Sequence, residues 1–149
     1  MTDYRPAEFG HLPWLLKLAE REVGKELDRE LRHTGITKSQ FGVLQALVHL
    51  TRASSAALAR TVFVTPQAMV NIVSELERKG FIKRRASPAS ARVIEAAVTP
   101  AGRAVFEEGS KAIRNVDDLL AAEFSERELE RFVQYLERCV AVLQESREP

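Results

Sequence analysis

The sequence predicts a mainly α-helical fold of six helices with one small β-hairpin, on three observations. Apolar residues recur at helical spacing in six separate stretches. Polar caps or a proline mark where those stretches begin. Only between residues 81 and 98 does the pattern turn β-compatible, on both sides of a loop of Ala, Ser and Pro. A length of 149 residues suits a single domain with a real core, and 45% hydrophobic with 29% charged residues excludes wholesale disorder.

The first helix runs through Leu12, Leu15, Leu16, Ala19, Val23, Leu27 and Leu31, with Lys17, Glu20, Arg21 and Lys25 among the residues of its polar face. Pro13 suits its opening turn, and His33-Thr34-Gly35 closes it because glycine turns left-handed at little cost. Thr37 caps the second helix in a capping box with Gln40. Ile36 staples onto Phe41, and Phe41, Leu44, Leu47 and Val48 form the buried stripe. Ser54 or Ser55 caps a third helix of about two turns, in which Ala56, Leu58 and Ala59 allow close packing.

Thr65 caps the fourth helix, Pro66 takes its first position, Val64 staples onto Met69, and Gly80 ends it. Its inner stripe is Met69, Ile72, Val73 and Leu76. Phe81 to Arg85 and Arg92 to Val98 are the expected hairpin strands. Thr99 and Pro100 repeat the cap-plus-proline start for a fifth helix that ends near Phe124. The sixth opens on a Ser125–Glu128 capping box with a Phe124–Leu129 staple and carries Leu129, Phe132, Leu136, Val140 and Leu143. The closing QESREP is expected to fray. Helix, turn, helix and hairpin between Ser54 and Val98 make a winged helix-turn-helix.

Net charge is only +1, but its distribution is uneven. From Arg60 to Arg92 seven bases face two acids, a local +5, whereas from Val93 to Pro149 seven bases face twelve acids. A basic block that coincides with the helix-turn-helix and hairpin points to nucleic acid, with the fourth helix in a major groove. The outward positions of that helix are Thr65, Pro66, Gln67, Ala68, Val70, Asn71 and Ser74. Gln67 and Asn71 lie one turn apart, and each amide matches adenine N6 and N7, while Ala68 and Val70 suit a thymine methyl. Ser54, Ser55 and Thr65, with the free N–H groups of the helix starts, suit phosphate, as do Lys38 and the run Lys83, Arg84, Arg85.

The stretch LARTVFVTPQAMVNIVSELERKGFIKRR and the T-x-x-G at Thr99 to Gly102 resemble the MarR family of bacterial transcription regulators, with the six-helix order matching from about Leu12 to Leu143. The resemblance implies one MarR-like domain over 1–149, with 36–99 as its DNA-binding winged helix and 8–35 and 100–146 as dimerisation helices. It implies a homodimer held by the first, fifth and sixth helices, reading a pseudo-palindromic operator. The chain would be a repressor released by a small aromatic or phenolic effector or by thiol oxidation. An effector pocket implied in the same way would involve His11, Trp14 and Arg21.

Two departures stand out. The family's wing commonly carries Asp-x-Arg, and the matching positions are Ser90, Ala91 and Arg92, so the arginine is present without its acid. Arginine often stands where Asn71 does, which shifts the expected burden of affinity to Arg84, Arg85 and Arg92.

The single cysteine, Cys139, excludes an intramolecular disulfide and is expected as an unreactive buried thiol on the sixth helix. No catalytic motif or metal-ligand spacing is legible, so neither an enzyme nor a cofactor is expected. The N-terminal apolar run is too short for a signal peptide or membrane span, which makes the expected address the cytoplasm, with no membrane partner. The competing reading is a winged-helix dimer that serves as a protein-interaction or small-molecule-binding module without DNA readout, and the basic block weighs against it.

Overall fold

A computed structural model describes residues 11–146. The expected boundary at residue 8 and the last three residues of QESREP lie outside the described residues.

Helix α1 spans His11–Leu31 and closes through a 3-10 turn, Arg32–Thr34, into Gly35 at φ 72°. The Thr34 hydroxyl donates to the Leu31 carbonyl at 2.6 Å, and the Gly35 N–H donates to that of Arg32 at 3.3 Å, so the exposed carbonyls of the helix end are satisfied. Helix α2, Lys38–Leu50, starts on the expected box. Thr37 Oγ1 accepts from the Gln40 N–H at 3.2 Å, and Gln40 Oε1 accepts from the Thr37 N–H at 3.3 Å. Its buried surface is wider than the predicted stripe, because Val43 and Ala46 are buried too while Val48 is only half-buried. The cause is enclosure: α1, the helices α3 (Ser55–Thr61) and α4 (Pro66–Arg78), and the sheet all pack around α2.

Thr51 at φ 64° then turns the chain into a strand the sequence did not announce. This is β1, Ala53–Ser54, which pairs antiparallel with Ala96 and Glu95 of β3 (Ser90–Val98). The expected two-stranded ribbon is therefore a three-stranded sheet of order β1-β3-β2, with β2 at Ile82–Ser87. Two residues show no alternation, so β1 carries no readable period.

The hairpin also differs from its expected limits. Its strands run on to Ser87 and from Ser90, leaving only Pro88 and Ala89 as the loop, with a register shift between Ala86 and Ser87. At the other end the ladder starts at Ile82 and not at Phe81. The Phe81 N–H is committed to the end of α4, donating to Leu76 O at 2.9 Å while Gly80, at φ 75°, donates to Glu77 O at 2.9 Å. These two bonds form a Schellman closure, and they remove Phe81 from the sheet.

Side chains buried to less than 2% exposure come from every layer of this part: Leu31, Val43, Leu44, Leu47, Leu58, Met69, Val73, Leu76 and Ile82. Each such burial stabilises by about 1.5–3 kcal/mol. Phe41 stacks on Phe106 of α5 (Pro100–Ala121) at 5.3 Å between centroids. One compact unit ends at Ile113 and a second begins at Arg114, within α5. The first turns of α5 share a unit with the winged helix.

In the second unit hydrogen-bonded turns carry the chain from the end of α5 at Ala121 to Phe124. Helix α6, Glu126–Glu145, begins with the Glu128 carboxylate accepting from the Ser125 N–H at 2.9 Å and its hydroxyl at 2.6 Å. Phe124 stacks on Phe132 at 5.3 Å, one turn beyond the predicted Leu129. Cys139 is half-exposed where a buried thiol was expected, because in a single chain the neighbouring Phe132, Val140 and Leu143 face solvent. Among the described residues no single helix is long and apolar enough to cross a membrane.

Candidate nucleic-acid interface

A side-chain cap opens each of α3 and α4. Ser54 Oγ accepts from the Ala57 N–H at 3.3 Å, and Thr65 Oγ1 accepts from that of Ala68 at 3.2 Å, with Pro66 in the first turn of α4. Between them Val62, Phe63 and Val64 make the turn, the Val64 N–H reaching Ala59 O at 3.1 Å. Phe63 takes φ 55° and is 90% exposed, a left-handed backbone and an unburied ring just before the Thr65 cap of α4.

Burial divides α4 as its apolar period predicts. Met69, Val73 and Leu76 are buried and Ile72 half-buried, whereas Thr65, Pro66, Gln67, Val70, Asn71 and Ser74 are exposed and Ala68 half-buried. Gln67 and Asn71 thus share an open face, free to meet base edges. Ser55, half-buried, occupies the first position of α3.

The cations divide in a way the sequence did not show. Strand alternation places Lys83 and Arg85 on the outer face of the sheet and turns Arg84 inward toward α4. There the Arg84 guanidinium grips Glu77, Nε donating to Oε2 at 2.7 Å with a second, shorter bond from the terminal nitrogen, while the Arg84 N–H donates to Oε1 at 3.3 Å. The hydrogen bond from Arg84 holds the Glu77 carboxyl below the usual carboxylate range, and the same bond raises the guanidinium. Arg84 was expected to carry affinity with Arg85 and Arg92. In the structure it pairs with Glu77 and ties the wing to α4. Lys79, counted in the basic block, is likewise occupied, its ammonium donating to Gly35 O at 2.8 Å and Gln40 Oε1 at 3.0 Å.

Lys38 lies against α1. Its ammonium lies over Gly24 on α1, 3.8 Å from a Glu20 carboxylate oxygen, and its N–H donates to Asp28 at 3.1 Å. Lys83, Arg85 and Arg92 are exposed and make no ion pair among the described residues, and Ser90 stands with Arg92 on the outer half of β3 beside the loop. Arg52 was not singled out from the sequence. It precedes β1, whose register sets it in line with Ala97 and Lys83, and without knowledge of β1 nothing marks it. On α1, Trp14 and Arg21 lie about two turns apart on one side, His11 is exposed, and Arg21 pairs with Glu22 at 2.8 Å.

The Glu77–Arg84 tether yields a sign that can be measured. A surface pair contributes at most about 1 kcal/mol to stability. Because the carboxyl is lowered in the folded chain, that contribution is fully present above the ordinary carboxylate range and fades as pH falls through the lowered value. Glu77→Gln is expected to destabilise by no more than about 1 kcal/mol in urea unfolding at neutral pH, with the difference from the parent vanishing in strong acid. The same change releases the guanidinium. If the chain binds DNA, its salt slope should steepen by up to about 0.9.

A MarR family model matches residues 34–93. The HTH-type transcriptional repressor Rv2887 of Mycobacterium tuberculosis is 32% identical over 132 residues, spanning 89% of this chain and 95% of that protein. The chain belongs to the MarR family. A crystal structure of Rv2887 in complex with salicylic acid superposes on this MarR-family chain with a TM-score of 0.73 over 89% of this chain and 98% of that one. A mutant MarR from E. coli complexed with operator DNA shares the fold at a TM-score of 0.79, with 20% identity, 86% of this chain and 92% of that one. The MarR-type winged helix expected from the sequence is thus the fold of the chain, with β1 added to its sheet.

Proposed function

We propose that this chain is a sequence-specific double-stranded DNA-binding transcription regulator, a ligand-responsive cytoplasmic repressor that binds a pseudo-palindromic operator as a homodimer. The observation that carries the reading is the open polar face of α4, with Gln67 and Asn71 one turn apart, beside a wing whose Lys83, Arg85 and Arg92 have no protein partner among the described residues. Amides without competing contacts suit base edges, and unpaired cations suit phosphates. Ser54 and Thr65 contribute through the helix starts they cap, while Ser55, Pro66, Ala68, Val70, Ser74 and Ser90 line the same surface.

Pairing of two chains is supported within each unit by apolar side chains left in solvent, Leu12 and Leu15 on α1 and Phe132, Val133, Tyr135, Val140 and Leu143 on α6. The presence of salicylic acid in the Rv2887 crystal supports a small aromatic effector, with His11, Trp14 and Arg21 as the residues assigned to it. The function is binding and not catalysis. Fluorescence anisotropy with fragments of the source genome tests the reading. The expected result is a saturable complex of dimer stoichiometry that weakens steeply between low and moderate salt, and a dimer indifferent to DNA in dilute buffer would reject it.

A further inference from the structure

The turn between α3 and α4 holds a side chain that the fold does not use. Phe63 takes φ 55° and is 90% exposed, where the next most exposed large apolar side chain among the described residues, Val142, reaches 59%. Left-handed backbone sets Cβ too close to the following carbonyl oxygen, a strain that glycine escapes. A ring left in water adds a second cost. Neither is recovered within the turn. Val62 and Val64, on either side, pack against the core, and the turn closes through the Val62 N–H on Leu58 O at 2.9 Å and the Val64 N–H on Ala59 O at 3.1 Å. The Phe63 ring belongs to neither the Phe41–Phe106 nor the Phe124–Phe132 stack. A bulky residue held in a strained conformation, by a fold that gains nothing from it, points to a partner outside the chain.

We propose that Phe63 is a specificity residue for DNA, its ring packing on the 5-methyl group of a thymine at the rim of the site that α4 reads. This rests on the proposed function. Phe63 stands two residues ahead of the Thr65 cap, and a helix that enters a major groove meets base edges with its first residues. A side chain just ahead of them arrives at the edge of the groove. The ring carries neither charge nor hydrogen-bonding group, so it has nothing to offer a phosphate or the polar edge of a base. The apolar group that the major groove presents is the thymine methyl, and phenylalanine is among the side chains that suit it. Pro66 and Val70, both exposed and one turn apart, line α4 beside the Gln67 and Asn71 amides, so apolar and polar readout run side by side.

Anisotropy with one fragment of the source genome that the parent binds, amplified with either dTTP or dUTP, tests the assignment, because the two duplexes differ only in the thymine methyls. Phe63→Gly suits the left-handed turn and is expected to melt no lower than the parent. On the thymine duplex the variant is expected to bind about tenfold more weakly, one methyl contact being lost from each of two copies, and on the uracil duplex to bind within about twofold of the parent. The slope of log affinity against log salt is expected to stay the same, since no cation has been removed. Equal binding of parent and variant to the thymine duplex, an equal loss on both duplexes, which marks a contact to deoxyribose, or a variant that melts below the parent would overturn the proposal. A parent that binds no fragment refutes the proposed function, and the role of Phe63 falls with it. A parent that binds, with a variant that binds equally, refutes the role of Phe63 alone.

Discussion

Gly102→Ala is expected to destabilise the chain by about 3 kcal/mol or more, beyond the usual range of about 1–3 kcal/mol for an inserted methylene. A Cβ at Gly102 would stand 1.9 Å from the Phe81 carbonyl oxygen, 2.8 Å from its carbon and 3.1 Å from the Phe81 Cα. All three atoms are backbone, and none can swing away by a change of rotamer. They are pinned from both sides. The Phe81 N–H closes α4 onto Leu76 O at 2.9 Å, the Phe81 carbonyl accepts from the Thr99 N–H at 3.0 Å, and the Thr99 hydroxyl donates to Gly80 O at 2.7 Å while accepting from the Gly102 N–H at 3.1 Å. Relief of the clash therefore breaks either the Schellman closure of α4 or the cap of α5. Thermal unfolding at matched protein concentration should show a fall of about 10 °C. A Gly102→Ala chain within 1 kcal/mol of its parent would show that the two segments do not approach this closely. The T-x-x-G of the sequence thus has a physical meaning: threonine joins the end of α4 to the start of α5, and glycine lets them meet.

The second large effect concerns DNA, and it separates positions that the sequence had grouped. Lys83→Ala combined with Arg85→Ala is expected to weaken binding to every sequence and to lower the slope of log affinity against log salt by about 1.8, each cation releasing about 0.9 of a counterion. Arg84→Ala is expected to change that slope much less, because Glu77 already balances its charge. Asn71→Ala should behave differently again, losing about 1–3 kcal/mol of preference at particular base pairs and keeping nonspecific affinity. Competition anisotropy over a salt series reads all three. If the Arg84 variant lost as much slope as one of the outer-face cations, the inward assignment of Arg84 would be wrong; if Asn71→Ala lost affinity uniformly, α4 would not read bases there.

Much of the fold was legible because its signals are local. A threonine followed three residues later by glutamine declared the start of α2, and both partners of that box lie within one turn of each other. Thr65-Pro66 and the Met69, Val73, Leu76 stripe declared α4 and its inner side on the same basis, and the helix kept them. Candidate base-reading residues followed from that side by elimination, so the exposed face of Gln67 and Asn71 was readable in advance. The strand limits were less legible, since Phe81 looks like a strand residue until its N–H is seen to belong to the helix end.

By itself the sequence determined where capped helices begin, which face α4 buries, and that one segment is rich in positive charge, because capping, periodicity and charge counting are decided within a few residues; α5 ends at Ala121 and not near Phe124, and Phe132, Val140 and Leu143 of the α6 stripe lie in solvent. Only the tertiary structure decided which of those charges remain available. Arg84 and Lys79 are spent on Glu77 and on Gln40, seven and thirty-nine residues away in sequence, and Arg52 joins Lys83 through a two-residue strand that pairs with Ala96 and Glu95. The physical reason is that an ion pair or a shared row of a sheet depends on distance in space, and a strand's alternation sends neighbouring cations to opposite faces, where they meet different partners.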